Sequence, residues 1–132
     1  QQLIILTCMD SRIDVMNACG LNLGEAHIIR NAGGRASDAL RSIIISQRML
    51  GTREIAVIHH TQCGIFTFKN ADLHATLEKD HPEHKKEIEK IDFLTLDGLE
   101  QGVLEDVKYL KEHPLLVPGT VVTGWIIDVK SG

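Results

Sequence analysis

Two runs of consecutive apolar residues, Leu3-Ile4-Ile5-Leu6 and Ile55-Ala56-Val57-Ile58, constrain the fold of this chain more than any other feature. Neither alternates apolar with polar, so neither suits a strand with one face in water; both predict strands buried on both faces. Strands of that kind need cover above and below, and the segments between them carry helical patterns. Leu40, Ile43, Ile44 and Leu50 fall on one face of a helix that Ser37 or Asp38 can cap and Gly51 can stop. Leu99, Val103, Val107 and Leu110 make a second stripe, ended by Pro114. Weaker strand candidates run from Ala26 to Ile29 and from Val121 to Val129. The charged stretch from Asp72 to Lys90, divided by Pro82, reads as two short exposed helices. Strands alternating with helices predict right-handed crossovers and an α/β fold, a mainly parallel central sheet with helices on both faces. No repeat or linker interrupts the pattern, so residues 1–132 read as one domain.

Composition serves mainly to exclude. A formal charge of −4 at pH 7 gives no general attraction to phosphate backbones. An aromatic content of 4% is too sparse for a base-stacking platform, so no nucleic-acid partner is expected. No apolar run approaches the roughly 20 residues that cross a bilayer, so no membrane partner is expected either. Cys8, Cys19 and Cys63 are odd in number and far apart, which fits free thiols in a reducing compartment, the cytoplasm, rather than a disulfide framework. Gln1 is not an initiating methionine and Gly132 follows closely on a strand-like run, so the ends read as trimmed and leave an upstream targeting peptide open.

In parallel α/β sheets ligands bind beyond the carboxyl ends of the strands. The first apolar run leads into Thr7-Cys8-Met9-Asp10-Ser11-Arg12, and the second into His59-His60-Thr61-Gln62-Cys63-Gly64. If those strands are neighbours, Cys8, His60 and Cys63 come within reach of one ion. Two thiolates and an imidazole suit zinc, and three protein ligands leave the fourth position of a tetrahedron open, as in catalytic sites. Each piece also has a plainer reading. Cys8 alone fits a small buried apolar residue, a lone His-x-x-Cys carries little information, and Asp10 with Arg12 fits a structural ion pair. Beside a metal, that pair would be a carboxylate held in one arrangement by a bidentate fork. His59 should point to the face opposite His60 and pack there. His27, His74, His81, His84 and His113 read as surface histidines, and Cys19 as helix core.

Cys8-x-Asp10-x-Arg12 followed by His60-x-x-Cys63-Gly64 resembles the zinc signature of the β-class carbonic anhydrases. The run from Ile28 to Gly34 and the segment from Ser42 to His60 also resemble that family, and the likeness extends from about Leu3 to Val129. It is to the short, single-domain branch, which includes enzymes acting on carbonyl sulfide. The resemblance implies one zinc ion per chain, with Cys8, His60 and Cys63 as ligands and Asp10 with Arg12 as the catalytic dyad. In the family the counterpart of Asp10 either caps the zinc or pairs with the arginine and leaves room for water. Gly33, Gly34 and Gly64 stand beside the motifs as candidate substrate contacts, and the first two also suit a tight turn with close backbone approach. A homodimer or higher even assembly is implied as well. Two departures stand out: Gln62 occupies a position where relatives commonly carry aspartate, and the N-terminal helical arm of many relatives is missing from this sequence.

Three functions follow as expectations. The first is zinc-dependent hydration of CO2 to bicarbonate by a zinc-bound hydroxide. The second is carbonyl sulfide hydrolysis by the same chemistry, since both gases are small, linear and electrophilic at carbon. The third is a non-catalytic zinc-stabilised binding module, against which the presence of both Asp10 and Arg12 weighs, because a purely structural site needs neither. Met9, Ile65, Phe66 and Phe68 are candidate pocket residues.

Overall fold

The computed structural model describes residues 2–132, so Gln1 lies outside the described residues. Four strands, β1 (Leu3–Cys8), β2 (Ala26–Asn31), β3 (Glu54–His60) and β4 (Val121–Ile127), form one sheet in the order β2-β1-β3-β4, with every neighbouring pair parallel. The two unbroken apolar runs are the two central strands, as their lack of alternation predicted. Both strands extend beyond those runs: β1 continues through Cys8 and β3 through His60, so two of the candidate ligands are the last residues of adjacent strands.

Among the described residues five α-helices accompany the sheet: α1 (Val15–Ala18), α2 (Ala36–Leu50), α3 (Asn70–Asp80), α4 (Lys85–Glu89) and α5 (Leu99–Glu112). Helices α2 and α5 pack on one face, burying Ile4, Leu6, Ile55, Val57 and Val122 against Ala39, Ile43 and Leu110. The approach of α5 is close, because a Cβ on Gly124 of β4 would lie 2.5 Å from Val103 Cγ1. On the other face Ile5 and Ile58 pack with Ile13, Val15, Ile65 and Leu96 around Cys8 and Cys63. The remainder of that face is an apolar groove of about 460 Å³, lined by Leu3, Ala56, Thr123, Trp125 and Ile127 among others. No helix among the described residues is long and apolar enough to cross a membrane.

The charged stretch forms α3 and α4 with a 3-10 turn at Pro82–His84 between them, as expected. Elsewhere the structure corrects the sequence reading. Helix α2 begins directly after Arg35, not at a Ser37 or Asp38 cap, because Asn31 closes the preceding turn through bonds to both Arg35 N and Arg35 O. Leu50 is exposed and Ser46 and Gln47 take the buried positions, where Gln47 bridges Thr120 and the Val117 amide. Cys19 is not helix core: α1 has only four residues, and Cys19 is its exposed C-cap. His27 is not simply a surface residue either, since its Nδ1 lies 2.6 Å from the Ser46 hydroxyl between β2 and α2. His74 places Nε2 2.6 Å from the carbonyl of Ile91.

Candidate metal centre

The parallel pairing of β1 with β3 runs as far as Thr7 and Ile58, so the strand ends just beyond it bring Cys8 near His60, and the turn after His60 returns Cys63 to the same point. One donor atom from each of Cys8, His60 and Cys63 lies within 4.8 Å of the other two, and all three residues are buried. The two sulfurs are 3.8 Å apart. Among the described residues this is the one group of three or more His, Cys, Asp or Glu side chains gathered closely enough to hold an ion.

The imidazole is oriented for that role. His60 Nδ1 is 2.7 Å from the Thr61 carbonyl, an acceptor only, so Nδ1 carries the hydrogen and Nε2 the free lone pair. Nε2 is buried and has no hydrogen-bond partner. A buried polar atom without a partner costs about 1–3 kcal/mol, and a metal ion beside the two sulfurs would satisfy it. The thiols are unlike each other. A hydrogen bond from the Cys63 thiol, together with backbone hydrogen bonds from Asp10 and Gly33, favours the thiolate of Cys8 against the opposing effect of burial. Cys63, facing that thiolate and buried, is pushed up instead. A cation between them would remove this conflict and favour both thiolates. The donor set and its orphaned nitrogen fit zinc.

Three backbone features hold Cys8 in place. Gly34, at φ +64°, packs its α-carbon so closely on β1 that a Cβ would lie 3.0 Å from the Thr7 carbonyl carbon and 3.1 Å from the Cys8 nitrogen. Met9 N bonds to Asn31 O at 2.8 Å. Arg30 gathers three carbonyls of the following loop, those of Cys8 (2.8 Å), Ile13 (3.1 Å) and Asp10 (2.6 Å). Gly33 is buried in the same turn against Ile65, whereas Gly64 is exposed. Of the candidate pocket residues, Met9 is exposed, Ile65 is buried beside the two cysteines, and Phe66 and Phe68 pack partly against that cluster.

Asp10 and Arg12 form the pair that the sequence offered. Arg12 Nη2 meets Asp10 Oδ2 at 2.6 Å, Nε meets Oδ1 at 3.0 Å, and the Arg12 amide meets Oδ1 at 2.8 Å. These contacts hold the Asp10 carboxyl well below the usual carboxylate range. Its Oδ2 stands 3.8 Å from His60 Nε2, so the charge faces the ligand cluster. Arg12 also reaches the other motif, donating Nη2 to the Gln62 carbonyl at 3.1 Å and Nη1 to Gln62 Oε1 at 3.4 Å. Gln62 has φ +55°, a left-handed conformation uncommon outside glycine, and these bonds help hold it there.

His59 points away from His60, as alternation predicted, and its Nε2 donates to Asp106 Oδ2 of α5 at 2.9 Å. Sequence reasoning did not single out Arg30, which bonds the Cys8 carbonyl, or the buried pair Arg35 and Asp106, which meets His59. For Asp106 a signal existed: it is a carboxylate on the buried face of α5, in line with Leu99, Val103 and Leu110. For the two arginines no local signal existed, because their partners are backbone carbonyls and side chains brought together by the fold.

Residues 3–132 match the family model described as carbonic anhydrase. The solved carbonic anhydrase from Glaciozyma antarctica superposes with a TM-score of 0.93 at 48% identity, covering 98% of this chain and 77% of its own. Beta-carbonic anhydrase 1 of Mycobacterium tuberculosis is 36% identical over 136 residues, which is 100% of this chain and 79% of the relative. The carbon disulfide hydrolase of Acidithiobacillus thiooxidans is 31% identical over 159 residues, 100% of this chain and 75% of the relative.

Proposed function

This chain belongs to the β-carbonic anhydrase family, and from that premise we propose that it hydrates CO2 to bicarbonate, with zinc held by Cys8 Sγ, His60 Nε2 and Cys63 Sγ. The observation that carries the reading is the pairing of an unpartnered, buried His60 Nε2 with a carboxylate that Arg12 keeps charged 3.8 Å away. Bound there, zinc supplies the Lewis acid that brings water toward ionisation near neutral pH. The chain's own residues do the rest. Asp10 accepts a hydrogen bond from the attacking water and so directs its lone pair at the substrate carbon. Arg12 occupies both Asp10 oxygens, which keeps the carboxylate from turning onto the ligand atoms. Gly33 and Gly34 act from behind, fixing Cys8, and leave the open side of the cluster to the gas; Gly64 remains a candidate contact there.

A second reading rests on the carbon disulfide hydrolases among the relatives. Carbon disulfide and carbonyl sulfide share the linear, electrophilic carbon of CO2, and the same residues would direct water at either. Small apolar contacts discriminate by only about 1–3 kcal/mol, so pocket residues such as Ile65 and Phe66 can set the preference without any change in the ligand set. One zinc-loaded preparation tests both readings. A higher kcat/KM for CO2 than for carbon disulfide and carbonyl sulfide supports the first; hydrogen sulfide release at far higher kcat/KM overturns it in favour of the second. A homodimer or higher even assembly goes with either reading.

A further inference from the structure

Behind the ligand cluster lies a buried polar network that the proposed reaction leaves unused. Asp106 is 2% exposed. Arg35, also buried, donates Nε to both Asp106 oxygens at 3.1 and 3.2 Å and Nη2 to Oδ1 at 3.2 Å, while His59 Nε2 meets Oδ2 at 2.9 Å. Arg35 further bonds the Leu94 carbonyl at 2.6 Å and Glu105 at 3.1 Å. Buried ion pairs contribute little net stability compared with apolar packing, and their better use is to fix one arrangement. This network carries an added penalty, because His59 Nδ1 is buried without any partner, a defect that an apolar residue at position 59 would not have.

What the network joins is specific. Arg35 directly follows the Gly33-Gly34 turn that presses on the backbone of Thr7 and Cys8. His59 directly precedes His60 and projects from the opposite face of β3, so holding the His59 ring holds the peptide from which His60 projects. Asp106 thereby ties the chain segments behind Cys8 and His60 to one point on α5. We propose that Asp106, acting through His59 and Arg35, is a positioning residue for the metal centre that sets the direction of His60 Nε2 relative to the two sulfurs. The proposal rests on the assignment of Cys8, His60 and Cys63 as zinc ligands.

The test is His59→Leu, which removes the bond and the unpartnered Nδ1 together while Arg35 and Asp106 stay paired. Zinc Kd is read by competition with a chromophoric chelator, and the Tm is read on the zinc-free protein. The Kd is expected to rise about tenfold or more, the usual effect of losing a residue that orients a ligand, while the zinc-free Tm holds or rises. His59→Gln, which keeps an N–H donor for Asp106, is expected to restore most of the affinity. An unchanged Kd in His59→Leu, affinity and Tm lost together as in a merely structural role, or a loss that His59→Gln does not restore would each overturn the proposal. Should His59→Leu fail to fold, Asp106→Asn is read for zinc Kd instead, with weakened binding expected and wild-type binding decisive against. Wild-type protein that binds no zinc would overturn the ligand assignment itself, an outcome distinct from normal binding that is insensitive to His59.

Discussion

His60 spends one ring nitrogen on its neighbour's carbonyl and leaves the other, buried and without a partner, within 4.8 Å of the two sulfurs, where a single cation could meet all three donors. The first prediction follows from that arrangement. Cys8→Ala, His60→Ala and Cys63→Ala each remove one of three ligands and are expected to lose zinc by elemental analysis; full metal content in Cys63→Ala would contradict the assignment. Stability should fall as well, because the ligands tie the ends of β1 and β3 together. Asp10 and Arg12 belong to a different class, since neither is among the proposed ligands. Asp10→Asn keeps the shape but loses the charge, and Arg12→Ala frees the carboxylate to turn. Both are expected to retain zinc and lose most of the CO2-hydration rate, at least about tenfold, the low end for removing a group that orients a metal site. Wild-type turnover in either variant, measured by stopped flow, would remove the dyad from the mechanism.

At the scale of elements, the site depends on two close approaches of different consequence. A Cβ on Gly34 would press on the backbone of Thr7 and Cys8, and one on Gly124 would press on Val103 of α5. Overpacking of this kind typically costs about 1–3 kcal/mol, so Gly34→Ala and Gly124→Ala should both lower the urea midpoint. Only Gly34→Ala should also lower zinc content, because only Gly34 backs onto a ligand; equal zinc loss in both would mean that the centre responds to general loosening. The same contrast shows what the sequence made legible. The central strands were readable because unbroken runs such as Leu3 to Leu6 have one physical meaning, and the gathering of Cys8, His60 and Cys63 because they follow two such runs. The beginning of α2 was not readable, since Asn31 closes that turn from five residues before the helix. Nor was the burial of Ser46 and Gln47, which became inner residues only because Thr52, Thr120 and the Val117 amide arrive to bond them. Arg30 and Arg35 were hidden for the same reason. Short-range pattern reports which face of an element is apolar, but it does not report which distant polar group will satisfy a buried one.

For the molecule as a whole, the two faces of the sheet are covered unequally. Helices α2 and α5 close one face, whereas on the other the residues that alternate outward from β1, β3 and β4 line an apolar groove of about 460 Å³. Trp125, on the edge strand β4, is 59% exposed there. Monomeric proteins rarely leave a contiguous apolar surface of this kind in water, and an uncovered edge strand adds a row of unpaired backbone groups. A second copy of the chain on this face would cover it, and this is where the proposed even assembly is expected to form. At micromolar concentration the protein is expected to show a mass at least twice that of the 14.6 kDa chain by light scattering. Trp125→Glu places a charge where the partner would sit, yet in the single chain more than half of the side chain is already exposed to solvent. The variant should therefore fold and keep its zinc but dissociate, because a charge buried in an apolar interface without a partner is strongly unfavourable. A monomeric wild type would refute the assembly; a dimeric Trp125→Glu would move the interface elsewhere, leaving this face uncovered by the partner copy.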